Sequence, residues 1–210
     1  MSDEPYRSYI VRSFDRWAKF YDPFASLFRV GPLRKRAVEM SGVGRGDKVL
    51  DVCTGTGAQA LEFAKRCEDV TAVDLSAGML AVARKKNKDN RVRFLRMDAT
   101  ALGFANKEFD ASCISFGLHD MPREVREEVL REMARVTTGR IVIVDYKPPQ
   151  SRLLRALYVA LVSLYESKYF ADFMRSDFGG LLARCGLREE RESAVWLGFL
   201  RICVCGAGGA

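Results

Sequence analysis

The sequence predicts an α/β fold with a seven-stranded, mostly parallel sheet, helices on both faces and an antiparallel C-terminal strand. Between residues 48 and 146, short apolar runs alternate with segments of helical periodicity, as in βαβ units. The tail at 188–205 is interpreted as two strands joined by a short link near Leu197–Gly198, which favours an antiparallel pair. The 210 residues, 48% hydrophobic and 29% charged, suit a single domain over 1–210.

The predicted strands cover residues 48–53, 69–75, 91–99, 109–117 and 139–146, followed by the two strands of the tail. The helix after the second strand opens at Ser76, a good N-cap residue. An amphipathic helix over 122–136 has Pro122 at its start, where a missing N–H costs little. Residues 1–46 predict a helical N-terminal cap, and residues 150–185 predict a helical, lid-like segment.

Charge narrows the range of partners. The chain carries a net charge of +7 and has a pI of about 9.2, which suits nucleic acid, an anionic membrane surface or an acidic substrate. The densest basic clusters, at 34–36 and 83–93, lack the interleaved aromatic residues of a single-strand nucleic-acid surface. We interpret them as solvated faces and do not expect nucleic acid as a partner. The sequence indicates no oligomeric state.

Hydropathy and cysteine usage favour a cytoplasmic protein. No apolar run approaches the roughly 20 residues that span a bilayer, and residues 1–17 lack the apolar core of a secretory signal. The cysteines form no C-x-x-C pair, so we expect buried free thiols, with a redox or zinc role as the alternative. The six are Cys53, Cys67, Cys113, Cys185, Cys203 and Cys205. A single histidine cannot supply a second imidazole ligand, so no metal site is predicted.

A glycine loop follows the first predicted strand. Residues 49–60 read VLDVCTGTGAQA, and Gly55 and Gly57 allow backbone conformations and a close ligand approach that a side chain blocks. The spacing from Gly55 to Ala60 fits G-x-G-x-x-G/A, which raises a nicotinamide dehydrogenase as one interpretation. Asp51 stands directly before the loop, where a carboxylate disfavours a pyrophosphate and suits a cation.

Acidic residues recur at the ends of the next two strands, where such sheets bind ligands. We expect Asp74 to bind ribose hydroxyls, Asp98 and the Ala99 backbone to border adenine, and Asp51 to favour an ammonium or sulfonium group. S-adenosylmethionine combines these features. Each acid has a plainer alternative: Asp51 as a structural cap, Asp74 as a turn residue and Asp98 as a solvated loop carboxylate.

At these residues the sequence resembles the class I S-adenosylmethionine-dependent methyltransferases. The stretches VLDVCTGTG, VTAVDLSAGML, RFLRMDATALGF and FDASCISFGL follow that family's order and spacing. Within the class, the sequence resembles the ubiquinone/menaquinone biosynthesis C-methyltransferase family. FDRWAKFYDPFASLF, with its Tyr21–Asp22 pair, and the stretch at 92–118 carry this likeness. The resemblance implies a Rossmann-like fold, S-adenosylmethionine as cofactor and methyl transfer to a small hydrophobic acceptor such as the ring carbon of a quinone precursor.

The resemblance also implies cofactor positions at Thr56, Asp74, Asp98, Ala99 and Ser115. Together with the residues chosen above, the predicted cofactor-binding set is Asp51, Thr54, Gly55, Thr56, Gly57, Asp74, Leu75, Met79, Asp98, Ala99, Ser115 and Tyr21.

His119, the only histidine, follows the motif SFGL after the fourth strand. In the quinone family an arginine–asparagine pair implicated near the acceptor stands there, whereas this chain has His119–Asp120. A ring carbon becomes nucleophilic when the ring hydroxyl loses its proton, and a histidine titrates near neutrality. We predict His119 as general base, with Asp120 orienting or stabilising the imidazole. The alternative is a plain loop residue or a cap of the following helix.

The acceptor rests on the resemblance, and other activities stay open. Tyr21 and the aromatic residues of 158–173 are candidates for a lid over a lipid-tailed acceptor, or for core. The apolar stretch 153–165 could contact a membrane peripherally. The alternatives are a phospholipid-headgroup or other small-molecule N- or O-methyltransferase, an RNA methyltransferase, and a non-catalytic binding protein on the same fold.

Overall fold

The computed structural model describes residues 4–27 and 30–207, with side chains for 5–23 and 30–206. Its helices are α1 (Glu4–Leu27), α2 (Gly31–Ser41), α3 (Ala58–Phe63), α4 (Ala77–Lys86), α5 (Arg123–Val136), α6 (Arg152–Val162), α7 (Phe170–Arg175) and α8 (Phe178–Arg184). Its strands are β1 (Lys48–Val52), β2 (Asp69–Asp74), β3 (Arg93–Arg96), β4 (Phe109–Ser115), β5 (Thr137–Tyr146), β6 (Leu187–Val195) and β7 (Leu200–Ala207).

The seven strands form one sheet in the order β3-β2-β1-β4-β5-β7-β6. Its strands are mostly parallel, with antiparallel pairing at the C-terminal end, so the predicted α/β fold class is confirmed. The chain divides into two compact units, Met1–Gly103 and Phe104–Ala210. Among the helices of residues 4–27 and 30–207, none is both long and apolar enough to cross a membrane.

The first unit is built on three parallel strands, with β2 between β1 and β3. After their first residues, β1 and β2 are nearly continuously buried, as expected for strands of a parallel sheet that is covered on both faces. Helix α1 packs along α4. The predicted cap of α4 is confirmed, because Ser76 Oγ accepts the Met79 backbone N–H at 3.0 Å.

The second unit pairs β5 in parallel with β4 and antiparallel with β7, and β6 closes antiparallel on β7. The two tail strands are therefore confirmed, joined by a 3-10 turn over Trp196–Gly198. Helix α5 begins after Pro122, its N-cap, and buries one apolar face. The buried residues of that face are Val125, Val129, Leu130, Met133 and Val136.

Two strands end earlier than their apolar runs. Strand β1 stops at Val52, because Cys53 adopts a left-handed φ of 54°. Strand β4 stops at Ser115, because Phe116 also adopts a φ of 54°. Bulky residues rarely occupy this region, and such strain concentrates at functional sites. The predicted strand 91–99 is shorter still, because its ladder to β2 covers only Arg93–Arg96.

Candidate active site

The glycine loop of the first unit turns sharply after β1. Its alternate residues Cys53, Gly55 and Gly57 have φ values of 54°, 56° and 76°. A Cβ on Gly57 would lie 2.7 Å from the Phe94 ring and 2.9 Å from Ala83 Cβ, so no side chain fits there. A Cβ on Gly55 would meet no described atom within 4 Å. The loop therefore presents bare backbone at Gly55, where a ligand can approach closely.

Asp51 is fully buried at the end of β1. The Thr54 hydroxyl donates to its Oδ2 at 2.5 Å, while Oδ1 has no hydrogen-bond donor among the described residues. Burial raises the pKa of Asp51 to about 7, against the opposing effects of Thr54, the Ala60 backbone and Arg34. A buried carboxylate oxygen without a donor is costly, and it suits a ligand that brings a cationic N–H.

Asp74, at the end of β2, fixes the glycine loop to the next strand. Its Oδ2 accepts the Gly55 backbone N–H at 2.7 Å, and its Oδ1 accepts the Ser76 N–H at 2.8 Å. Burial raises the pKa of Asp74, although these backbone donors oppose the rise. A carboxylate offers about four lone-pair sites, so Asp74 retains acceptor capacity for two hydroxyl groups.

Asp98 follows β3 and is held by two residues. Arg7 Nε donates to its Oδ2 at 2.5 Å, and Oδ1 accepts both the backbone N–H and the hydroxyl of Thr100, at 2.9 and 2.8 Å. Burial would raise the pKa of Asp98, but Arg7 and Thr100 outweigh it and the pKa is lowered. Asp98 is thus an ionised, positioned carboxylate beside the buried Ala99.

Helix α1 contacts this region through three charged residues on one face. Arg7 binds Asp98, Asp15 Oδ1 accepts the Ser76 hydroxyl at 2.5 Å and the Gly78 N–H at 2.8 Å, and Asp22 Oδ1 accepts the Thr56 hydroxyl at 2.6 Å. Spacings of eight and seven residues place them on one helical face. Sequence reasoning missed Arg7 and Asp15, whose signal is this spacing.

The remaining predicted cofactor residues of the first unit differ in exposure. Met79 is buried in α4, Thr54 is buried in the loop, and Leu75 and Tyr21 are half-buried. Ser115, the other predicted cofactor residue, belongs to the second unit. It is the half-buried last residue of β4 and pairs in register with Val144 of β5.

His119 lies buried in the second unit, on a 3-10 turn over Leu118–Asp120. Its Nδ1 is 2.7 Å from Asp145 Oδ1, and Asp145 Oδ2 accepts the backbone N–H groups of Leu118 and His119 at 3.1 and 3.3 Å. Asp145, which the sequence analysis missed, therefore orients the ring from β5. Its signal was weak: one acid near the end of an apolar strand.

The opposite edge of the imidazole faces two further acids. His119 Nε2 is 3.3 Å from Glu166 Oε2 and 3.5 Å from Asp120 Oδ2. Burial opposes the charged imidazole, but the charges of Asp120 and Asp145 outweigh it and raise the pKa of His119 well above its usual value. The surrounding acids therefore favour the imidazolium form of His119, which can donate from both nitrogens. We call His119 and the three acids around it, Asp120, Asp145 and Glu166, the His119 cluster.

Aromatic side chains and one arginine pack against the His119 cluster. The rings of Phe116, Tyr146, Phe170 and Phe173 pack edge-on against the imidazole, with centroids 4.9–6.4 Å away. Phe170 and Phe173 belong to the predicted lid-like segment and are buried. The buried Arg126 donates to the Leu118 carbonyl at 2.9 Å and so fixes the turn.

Residues 49–140 match a family model described as a methyltransferase domain. This stretch of the chain is therefore similar to known methyltransferase domains. The chain is 39% identical over 156 residues to the demethylmenaquinone methyltransferase of Paenarthrobacter aurescens (strain TC1), a match that covers 71% of this chain and 59% of that protein. It is 35% identical over 136 residues to the ubiquinone/menaquinone biosynthesis C-methyltransferase UbiE of Azotobacter vinelandii, covering 60% of this chain and 53% of that protein. The match thus spans little more than half the length of these relatives.

Solved structures confirm the Rossmann-like fold. Magnesium protoporphyrin IX methyltransferase from Synechocystis PCC 6803, solved with bound SAH, superposes with a TM-score of 0.71 at 19% identity, covering 98% of this chain and 99% of that one. The [4+2]-cyclase SpnF superposes with a TM-score of 0.66 at 16% identity, covering 86% and 81%. The predicted resemblance to the quinone C-methyltransferases is also confirmed by the curated relatives.

Proposed function

We propose that this protein is an S-adenosylmethionine-dependent methyltransferase that methylates a small hydrophobic acceptor, such as the ring carbon of a quinone precursor. One observation carries the cofactor part: the buried Asp51 Oδ1, which has no donor among the described residues and ends a strand beside the glycine loop. The methyltransferase domain over 49–140 and the names of the relatives support the activity.

The residues of the first unit fit this cofactor. Asp51 offers an anionic oxygen to the ammonium group, and Asp74 has acceptor capacity for the ribose hydroxyls. The bare backbone at Gly55 permits close contact. Asp98 and Ala99 would border the adenine. When bound, S-adenosylmethionine supplies an electrophilic methyl group on a sulfonium, and these residues hold and orient it, which contributes much of the catalysis in a displacement.

The acceptor class draws support from an exposed apolar surface on the second unit. We define the α6 apolar surface as the exposed residues of α6, the segment after it and the β6–β7 turn. They are Leu153, Leu154, Leu157, Leu161, Leu164, Tyr165, Trp196 and Leu197. Tyr158 of α6 stacks on Phe199 at 4.7 Å, which links α6 to the turn. Arg152 and Arg155 lie at the start of α6, and α6 contains no acid. Such a surface suits peripheral contact with an anionic membrane, where lipid-tailed acceptors reside, and a cytoplasmic location agrees with it.

The role of His119 as general base stays a proposal and needs a neutral imidazole. Carboxylates at both ring nitrogens hold the proton, so His119 accepts a proton from an acceptor hydroxyl only after the cluster has lost one. We therefore expect the predicted base to work only on the alkaline side of neutrality. A turnover rate that does not change between pH 7 and 9 would argue against this role.

Labelled methyl transfer tests the function. The full chain is incubated with methyl-labelled S-adenosylmethionine and a total cell extract, and the products are divided into lipid, aqueous and RNA fractions. Label that comigrates with a quinone supports the proposal, and label in phospholipid would replace the acceptor by a lipid headgroup. Cofactor binding without label in any fraction would contradict the enzyme. Asp74→Asn should abolish labelling, while Asp69→Asn, at the exposed start of β2, is the matched control.

A further inference from the structure

The His119 cluster brings three potential metal-ligand atoms together. His119 Nε2, a carboxylate oxygen of Asp120 and one of Glu166 all lie within 4.8 Å of one another. We propose that these three side chains bind a divalent transition-metal ion. This inference does not depend on methyl transfer, but an ion bound to Nε2 would exclude the role of His119 as general base. Sequence spacing does not indicate the site, because Glu166 comes from a different segment, after α6.

The spacing of the ligand atoms suits a metal ion. Two atoms that are each about 2.0–2.2 Å from a metal lie about 2.8–3.6 Å apart at octahedral or tetrahedral angles. His119 Nε2 is 3.3 Å from Glu166 Oε2 and 3.5 Å from Asp120 Oδ2. Both distances fall in that range, so an ion can replace the Nε2 proton with small rotations of the two carboxylates.

The surroundings supply the contacts that usually support metal ligands. A metal-bound histidine typically donates its other N–H to a carboxylate, which fixes its tautomer. Here His119 Nδ1 lies 2.7 Å from Asp145 Oδ1, leaving Nε2 toward the two acids. The Tyr146 hydroxyl donates to Glu166 Oε1 at 2.6 Å and leaves Oε2 for the ion. The arrangement matches a carboxylate–histidine–metal chain.

Charge also favours a cation at this point. Three carboxyl groups, from Asp120, Asp145 and Glu166, lie around one buried imidazole. Arg126, the buried guanidinium nearby, donates to Asp172 at 2.7 Å. Buried carboxylates need compensation, and a dication supplies it better than one proton. One nitrogen and two oxygen donors suit Mn²⁺, Fe²⁺ or Zn²⁺.

Mn²⁺ is the probe of choice, because hard oxygen ligands bind it and the six thiols of this chain do not compete well for it. The full chain, freed of metal and without S-adenosylmethionine, is titrated with Mn²⁺, and free Mn²⁺ is followed by electron paramagnetic resonance. We expect one bound ion per chain. Glu166→Gln and Asp120→Asn should weaken binding at least tenfold, and Asp145→Asn about 10–100-fold.

Glu127→Gln is the control, because Glu127 is a half-buried carboxylate of the same unit whose partners are Arg123, Arg131 and Arg184 and not His119. It should bind Mn²⁺ like the unchanged chain. Absence of a one-to-one complex with the unchanged chain would overturn the proposal, whatever the variants do. Equal binding by folded Glu166→Gln and Asp120→Asn chains would place the ion elsewhere and also overturn it. The titration contains no S-adenosylmethionine, so its outcome does not depend on whether the protein transfers a methyl group.

Discussion

At the scale of single residues, Asp51 of the first unit lowers the stability of the folded protein while it offers a carboxylate to a ligand. Asp51 is buried, its Oδ1 has no donor among the residues that the structure describes, and burial raises its pKa from 3.8 to about 7. Because the pKa of Asp51 is higher in the folded state, the folded protein holds this proton more tightly than the unfolded chain does. The folded state therefore loses stability as pH rises from about 4 to about 7, by an amount on the order of 4 kcal/mol.

Replacing Asp51 should therefore stabilise the protein and weaken its site. We expect Asp51→Asn to raise the free energy of unfolding at pH 8 by about 1–3 kcal/mol, because the variant buries no charge. Urea denaturation at pH 5 and pH 8 measures this, and the gain should shrink at pH 5. Equal or lower stability of the variant at pH 8 would contradict the interpretation of Asp51.

The same carboxyl sets the pH dependence of cofactor binding. Below about pH 7 Asp51 is protonated and offers no negative charge to an ammonium group. Affinity for S-adenosylmethionine should fall up to about tenfold per pH unit below that value. Calorimetry between pH 5.5 and pH 8 tests this, with Asp51→Asn as the variant whose affinity should be low and nearly flat.

Substitutions of Gly55 and Gly57 can distinguish the cost of backbone strain from the cost of a steric clash, because only Gly57 has close neighbours. Gly55→Ala meets open space and should cost only the left-handed backbone, about 1–2 kcal/mol. Gly57→Ala adds a clash with Phe94 and Ala83 and should cost about 1–3 kcal/mol more. Urea denaturation of both variants gives the difference, and equal costs would refute the close packing at Gly57.

At the scale of elements, α1 is held to the strand ends by polar contacts. Arg7, Asp15 and Asp22 reach the segments that follow β3, β2 and β1 in turn. These three charged residues therefore add polar contacts to a helix that also packs along α4 and carries exposed aromatic residues, such as Trp17 and Phe20.

Loss of the Arg7 contact should loosen α1. In Arg7→Gln the charge-assisted bond to Asp98 is lost, and we expect amide hydrogen exchange in residues 5–23 to accelerate severalfold. Arg12→Gln is the matched control on the same helix, because exposed Arg12 bonds only the Ser8 carbonyl among its described partners. Exchange rates that rise equally in both variants would show that Arg7 has no special role.

The periodicity of the sequence predicted most helices and strands. It did not predict the residues that complete the candidate sites, because these are distant in sequence. The capping of α4 and the tail hairpin follow from local signals. The early ends of β1 and β4 depend on left-handed Cys53 and Phe116, residue types that carry no such signal. Asp145 and Glu166 join His119 only through tertiary folding, so a single sequence could identify the imidazole but not its partners.

At the scale of the whole molecule, the fold alone does not determine the reaction, since a [4+2]-cyclase shares it. The α6 apolar surface gives a separate line of evidence. Leu197 is 99% exposed and Leu153 is 82% exposed, and clustered exposure of large apolar side chains marks interaction sites.

Membrane contact through this surface can be tested directly. The double variant Leu153→Ser/Leu197→Ser should reduce binding to vesicles that contain anionic phospholipid about tenfold or more, because both side chains would enter the interface. Co-sedimentation measures it, and Leu153→Met/Leu197→Met is the control that keeps apolar character. Neither change should alter the unfolding midpoint. Equal vesicle binding by the serine and methionine variants would rule out this surface.

The guanidinium of Arg126 joins three separate acceptors of the second unit. Its three nitrogens point to three places at once: the Leu118 carbonyl, the Tyr169 carbonyl and the Asp172 carboxylate. A lysine carries its three N–H donors on a single nitrogen, so it cannot reach three acceptors that are spread around a planar guanidinium. Replacement of Arg126 would therefore leave acceptors on the turn that bears His119 and on α7 without their donor at the same time, so this one side chain couples the two segments.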